Sequence, residues 1–175
     1  ELLTAAQIYP ENLGEGKLVG AQENEIFYWF GNAFEGQGDL TKANEFWGKA
    51  ATGLDEPSAA IFYNDQQPDT IFYQGLALKK MGQQDEAETR FERLIRFGTD
   101  HMNDQVKLDY FAVSLPDLQI WNDDLNARNR QLCLYLIGLG ELGKGNAESS
   151  RKLFAEVLQA DPSHKGATVN LNHRL

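Results

Sequence analysis

Cysteine is almost missing from this chain: Cys133 stands alone among 175 residues, inside the apolar run LCLYLIGL. A single thiol makes no intrachain disulfide, which excludes a disulfide framework and fits a reducing, cytoplasmic compartment. On an apolar helix face such a cysteine reads as a small core residue rather than a nucleophile. Histidine is scarce as well, and its three copies lack the paired spacing of a zinc motif. Serine-hydrolase, P-loop and dinucleotide fingerprints are missing too. No catalytic residue, metal or cofactor is therefore expected, and the chain reads as non-enzymatic.

Two further absences concern partners. Nothing approaches the roughly 18 uninterrupted apolar residues of a membrane-spanning helix. Positive charge is in deficit, with 16 Lys and Arg against 26 Asp and Glu, a net charge of −10. Such a balance repels phosphate backbones and anionic bilayers, so neither nucleic acid nor a membrane is expected as a partner. The acids are spread along the chain as a solvated surface. The chain opens at Glu1 with no Met and no signal-like segment, and is expected to be a piece of a larger protein.

What the chain does have is an internal repeat. Residues 68–99, PDTIFYQGLALKKMGQQDEAETRFERLIRFGT, show apolar spacing of i, i+3, i+4 and i+7 on both sides of a turn at Gly82. Gly75, Gly82, Ala87, Phe91 and Leu94 recur 44 residues earlier as Gly31, Gly38, Ala43, Trp47 and Ala50. They recur 63 residues later as Gly138, Gly145, Ser150, Phe154 and Val157. A small residue midway along each helix lets two backbones approach, and an aromatic one turn away fills the groove. The turn glycine supplies a positive φ. Hairpins of this size bury too little surface alone and must stack.

The expected fold is therefore all-α: an α/α superhelix of helical hairpins with an inserted segment between the last two repeats. The repeats lie at about 24–57, 68–101 and 131–164, a partial helix at 1–9 and the insert at 102–130, all within one domain. Asp39 is expected to cap the second helix of the first copy, and Asp123 or Asp124 to start the first helix of the third. The acid pairs Asp55-Glu56 and Asp123-Asp124 stand at helix ends, where carboxylates cap and meet the helix dipole. The insert holds too many apolar side chains for a free loop. It either completes the core or lies in the groove of the array.

These residues resemble the tetratricopeptide repeat, a helix-turn-helix unit of about 34 residues. Asp55 and Thr99 replace the proline that closes its consensus, whereas Pro162 keeps it. The phrases YPENLGEGKL, FYNDQQPDTIFYQGLAL, DYFAVSLPDL and DPSHKGA are more specifically similar to the C-terminal repeat region of large, mainly bacterial proteins carrying a DUF5107 domain. That resemblance implies an accessory piece of a carbohydrate-processing protein.

The tetratricopeptide resemblance also implies a concave face lined by the first helix of each hairpin. Carried over, its candidates are Glu25, Tyr28, Trp29 and Asn32, then Asp69, Phe72, Tyr73, Leu76 and Lys79, then Tyr135. An aromatic row of this kind suits an extended peptide, a partner helix, the rest of the same polypeptide or a sugar ring. The same side chains can equally serve packing between helices. The family's clamp for a terminal carboxylate is not reproduced, since only Asn32 matches its pattern. One weak polar cluster remains, His101 with Asp104 and Asp109. It reads either as an acid–base or metal site or as a helix-end cap.

Overall fold

The computed structural model describes residues 1–7, 23–58, 66–106 and 124–171, which contain eight helices and no strand. They are α1 (Leu2–Ala6), α2 (Asn24–Gly36), α3 (Leu40–Ala50), α4 (Thr70–Lys80), α5 (Gln84–His101), α6 (Leu125–Gly143), α7 (Ala147–Ala160) and α8 (Lys165–Leu171). The all-helical expectation holds. Expectations falling on residues 8–9, Asp109, Asp123 and most of the insert lie outside the described residues. The chain divides into two compact units, Glu1–Arg93 and Leu94–Leu175.

Three turns are built alike. Gly38, Gly82 and Gly145 take φ of 82°, 80° and 87°, a region that costs other residues about 1–2 kcal/mol. Each glycine N–H donates to the carbonyl three residues back, and the next N–H donates to one five back. The latter bonds are Asp39 to Phe34 (3.0 Å), Gln83 to Leu78 (2.9 Å) and Asn146 to Glu141 (2.9 Å). This double closure satisfies the last carbonyls of α2, α4 and α6 and reverses the chain within a few residues.

Each hairpin then crosses at a glycine. A β-carbon on Gly31, Gly75 or Gly138 would overlap the ring of Trp47, Phe91 or Phe154 respectively. Those rings are 2%, 0% and 0% exposed, with Ala43, Ala87 and Ser150 buried beside them. Asp39 caps α3 by accepting from Lys42 N at 3.0 Å. Asp124 caps α6 by accepting from the N–H groups of Asn126 and Ala127.

The second helices of the three hairpins differ in length, and α3 stops at Ala50 although Asp55 replaces the proline. With Thr99 in place of proline, α5 runs on for 18 residues to His101. In α7 the residue before Pro162 is extended, with Asp161 at φ −134° and ψ 93°, and the helix stops at Ala160. The helix α6 starts directly after Asp124, as expected, and one feature goes beyond the expected outline: α8 follows His164. His164 caps α8, its Nδ1 accepting from Ala167 N at 3.1 Å.

The first unit also holds an irregular join. Asn24, 1% exposed, donates both Nδ2 hydrogens, to the carbonyls of Ala50 and Thr52 at 2.7 Å each. Fully buried Gln74 donates to the carbonyls of Thr52 (3.1 Å) and Leu54 (3.0 Å) and accepts from Arg90 Nε at 3.2 Å. Asp55 and Glu56 cap no helix here. Asp55 pairs with Arg90 (3.1 Å) and Arg93 (2.5 Å), and Glu56 with Arg93 (3.0 Å). The reason is steric and electrostatic: the chain leaves α3 beneath α5, where two guanidinium groups need carboxylates.

Candidate functional site

Within the first unit α2 and α4 pack side by side, and their facing residues form one aromatic row. Tyr28 meets Trp29 edge-on at 5.2 Å between ring centroids, Tyr28 approaches Tyr73 at 6.0 Å, and Tyr73 meets Phe72 edge-on at 5.4 Å. The row is graded in depth. Tyr28, Phe72 and Leu76 are buried at 5%, 1% and 4% exposure, whereas Trp29, Tyr73, Asn32 and Asp69 are half-buried and Glu25 and Lys79 exposed. Buried members therefore hold the floor, and half-buried ones offer ring faces and polar atoms above it.

Polar groups frame this row. Asn32 turns its Oδ1 to accept from Trp47 Nε1 at 3.1 Å, so this candidate also locks the crossing inside its own hairpin. Glu25 and Asp69 stand near the N-terminal ends of α2 and α4, and Lys79 and Lys80 at the C-terminal end of α4, charges of the sign each helix end favours. Lys80 ties the two helices together: its ammonium lies 2.5 Å from Glu35 Oε2 and 5.4 Å from the centroid of Trp47.

The remaining candidates lie in the second unit. Tyr135 is 6% exposed, with its ring 6.0 Å from Phe154 and 4.6 Å from His164. Cys133 is fully buried beneath the same helix. Burial pushes its thiol up from the usual value, so it is poorly suited to nucleophilic work. His101 Nδ1 lies 2.7 Å from Asp104 Oδ2, and its ring sits 4.5 Å from Phe97. Asn129 Nδ2 donates to the His101 carbonyl at 2.7 Å, and Val106 N donates to Asn126 Oδ1 at 2.8 Å. These bonds tether the chain leaving α5 to α6. Among the described residues no group of three His, Cys, Asp or Glu side chains could hold a metal ion, and no helix is long and apolar enough to cross a membrane.

The geometry of α4 and α5, a glycine-aromatic crossing closed by a positive-φ turn, has a counterpart among known families. Residues 69–96 match the tetratricopeptide repeat. The match covers α4 and most of α5, and in sequence the matched hairpin is preceded by one hairpin of like construction and followed by another. Residues that sequence spacing did not single out are Asn24, Gln74, Arg90 and Arg93. A buried glutamine and two arginines amid apolar spacing were the available signal.

Proposed function

We propose that this chain is a non-enzymatic interaction module whose α2–α4 face receives an extended protein segment. The observation that carries this is the graded aromatic row on a tetratricopeptide-like hairpin: buried Tyr28 and Phe72 support half-buried Trp29 and Tyr73 between an acidic and a basic end. Aromatic anchors over a rigid floor bind at low conformational cost. The segment can belong to a separate protein or to another part of the same polypeptide.

The test is a peptide display library selected on the whole chain, followed by titration of the selected peptides. Selected peptides are expected to compete with one another and to weaken at least tenfold on Trp29→Ala with Tyr73→Ala, with the helical signal unchanged. Peptides that bind the double variant as well as the parent would overturn the assignment. Binding on a glycan array, lost in the same variant while peptides are ignored, would favour instead the accessory carbohydrate role that the more specific resemblance implies.

A further inference from the structure

Two histidines stand at the same repeat position. His101 and His164 are 63 residues apart, the step that carries the second hairpin onto the third. His101 ends α5, and His164 lies between α7 and α8. Each turns Nδ1 toward the residue three positions on, and there the likeness stops. His101 Nδ1 meets Asp104 Oδ2 at 2.7 Å, whereas His164 Nδ1 meets the backbone N of Ala167 at 3.1 Å. A carboxylate accepts, so Nδ1 of His101 must carry a proton; an N–H donates, so Nδ1 of His164 must be bare. A proton at one ring atom is required in one copy and forbidden in the other.

His164 holds both ends of a cap. Its carbonyl accepts from Thr168 N at 3.0 Å, the first bond of α8, while its ring accepts from Ala167. The helix it caps has seven residues, too few to persist without its contacts. It packs on α7, buries Ala167 and Asn170, and brings Gly166 so close to Tyr135 that a β-carbon there would overlap the phenol oxygen. The groups facing the imidazole are Tyr135 of α6, at 4.6 Å, Asp161 at the end of α7 and Lys165 beside it on α8. Hydrogen bonds from the Ser163 hydroxyl and N–H, then the charges of His164 and Arg128, hold the Asp161 carboxyl below its usual range. Protonation of Nδ1 removes the acceptor for Ala167 and sets a cation at the positive end of α8, next to Lys165. Ionised Asp161 then attracts the ring away from the helix. At His101 the same proton turns a neutral donor into an imidazolium facing Asp104, which shortens and strengthens the bond. From α6 that corner receives the neutral Asn129, bonded to the His101 carbonyl, and the Cys133 thiol, which burial keeps protonated.

We propose that His164 makes α8 an acid-released cover over Tyr135, while His101, at the same repeat position, tightens the corner between α5 and α6 under the same conditions. The sign follows from proton binding. Docked α8 binds fewer protons at His164 than undocked α8, so docking weakens as pH falls. The closed corner at His101 binds its proton more firmly than the open one, so it strengthens as pH falls. The corner's gain is the smaller, because His101 and Asp104 keep 47% and 55% of their side-chain surface exposed. Acid thus loosens the last helix, uncovering Tyr135 of the third hairpin's inward row, and leaves the start of α6 held.

Nuclear magnetic resonance of the whole chain at about pH 7.5 and about pH 5, the span in which imidazoles titrate, tests both halves. Imidazole nitrogen spectra at the higher pH are expected to show Nδ1 bare in His164 and protonated in His101. Amide exchange, corrected for its intrinsic pH dependence, is expected to show Thr168 to Leu171 losing protection at least fivefold at the lower pH. The Tyr135 ring signals should shift over the same range. His164→Asn, a cap that does not titrate, is expected to keep α8 protected equally at both values, and His164→Ala to leave it unprotected at both. His101→Gln should leave the response of α8 intact and abolish a smaller gain of protection at Asp104 in acid. The same tautomer at both histidines, pH-independent protection of α8 in the parent, or an acid loss that persists in His164→Asn overturns the proposal.

Discussion

At the four positions where hairpin α2–α3 presents Phe27, Phe30, Phe34 and Phe46, hairpin α4–α5 holds Ile71, Gln74, Leu78 and Arg90. The first set is half-buried, with Phe30 and Phe34 stacked on Phe46; in the second, three residues are buried and two carry a hydrogen bond between them. Beneath these faces both hairpins have a glycine at the crossing, an aromatic ring on it (Trp47 or Phe91) and the same turn. The interior of a hairpin is thus set by its own crossing, while its outer face is set by whatever chain lies against it. In α4 that neighbour brings backbone carbonyls, and the Gln74 amide is buried there with its donors used on them.

Unfolding experiments can break or sharpen this contrast. The largest effect is expected from Phe91→Ala, which empties the fully buried crossing over Gly75 and costs about 3–5 kcal/mol. Phe46→Ala in the half-buried stack is expected to cost about 1 kcal/mol. Urea titration followed by circular dichroism compares the two, and equal losses would mean the stack is as much core as the crossing.

Next comes Gln74→Leu, a similar volume with no donors. It removes one donor each from the Thr52 and Leu54 carbonyls, which keep Asn24 and Gln66, and one acceptor from Arg90, which keeps Asp55, an expected loss of about 1–2 kcal/mol. The corresponding Phe30→Gln should change stability by no more than about 1 kcal/mol. A neutral Gln74→Leu would show that the join does not depend on the buried amide.

Turn glycines give a smaller contrast. Gly82→Ala must hold an alanine at φ 80°, costing about 1–2 kcal/mol. Gly36→Ala, at the end of α2 with open space around its β-carbon, is expected to gain about 0.5 kcal/mol. Thermal melts of the two variants should move in opposite directions.

The smallest effect is a pH dependence at the join. Arg93, hydrogen-bonded to Asp55, and Arg90 beside it hold the Asp55 carboxyl below the usual carboxylate range. A group depressed in the folded state contributes stability that is fully present above the ordinary carboxylate value and lost as pH falls through the folded one. Asp55 is 40% exposed in this pair, so solvent screening keeps the contribution small. Melting temperature should therefore fall more shallowly with acid in Asp55→Asn than in the parent. Identical acid limbs would remove Asp55 from the join's energetics.

The hairpins were legible because their determinants are close in sequence. Gly75 and Phe91, or Gly82 and Lys79, meet within one unit, so a repeated spacing records the contact directly. The caps at Asp39 and Asp124 were visible for the same reason. The join was not. Gln74 falls at a position that spacing marks as apolar, and its donors serve backbone carbonyls, which carry no side-chain signature. Asp55-Glu56 likewise looked like helix-end acids until Arg90 and Arg93 were found against them. Of the candidate face, the row from Tyr28 to Lys79 was carried over, by its register along the helices, from the tetratricopeptide resemblance. Register says nothing of depth, so Tyr28, Phe72 and Leu76 could not be separated as floor from Trp29 and Tyr73 above them.

Helix positions, turns and the glycine-aromatic crossings are short-range choices, decided by which residues tolerate a positive φ, a close backbone approach or a cap. Those were settled by residue order. Which polar groups are buried, which aromatics remain half-buried and which face of a hairpin meets a neighbour depend on chain segments brought together across spacers of irregular length. Only packing decides these, because the desolvation of a carbonyl or a ring depends on the segment that covers it.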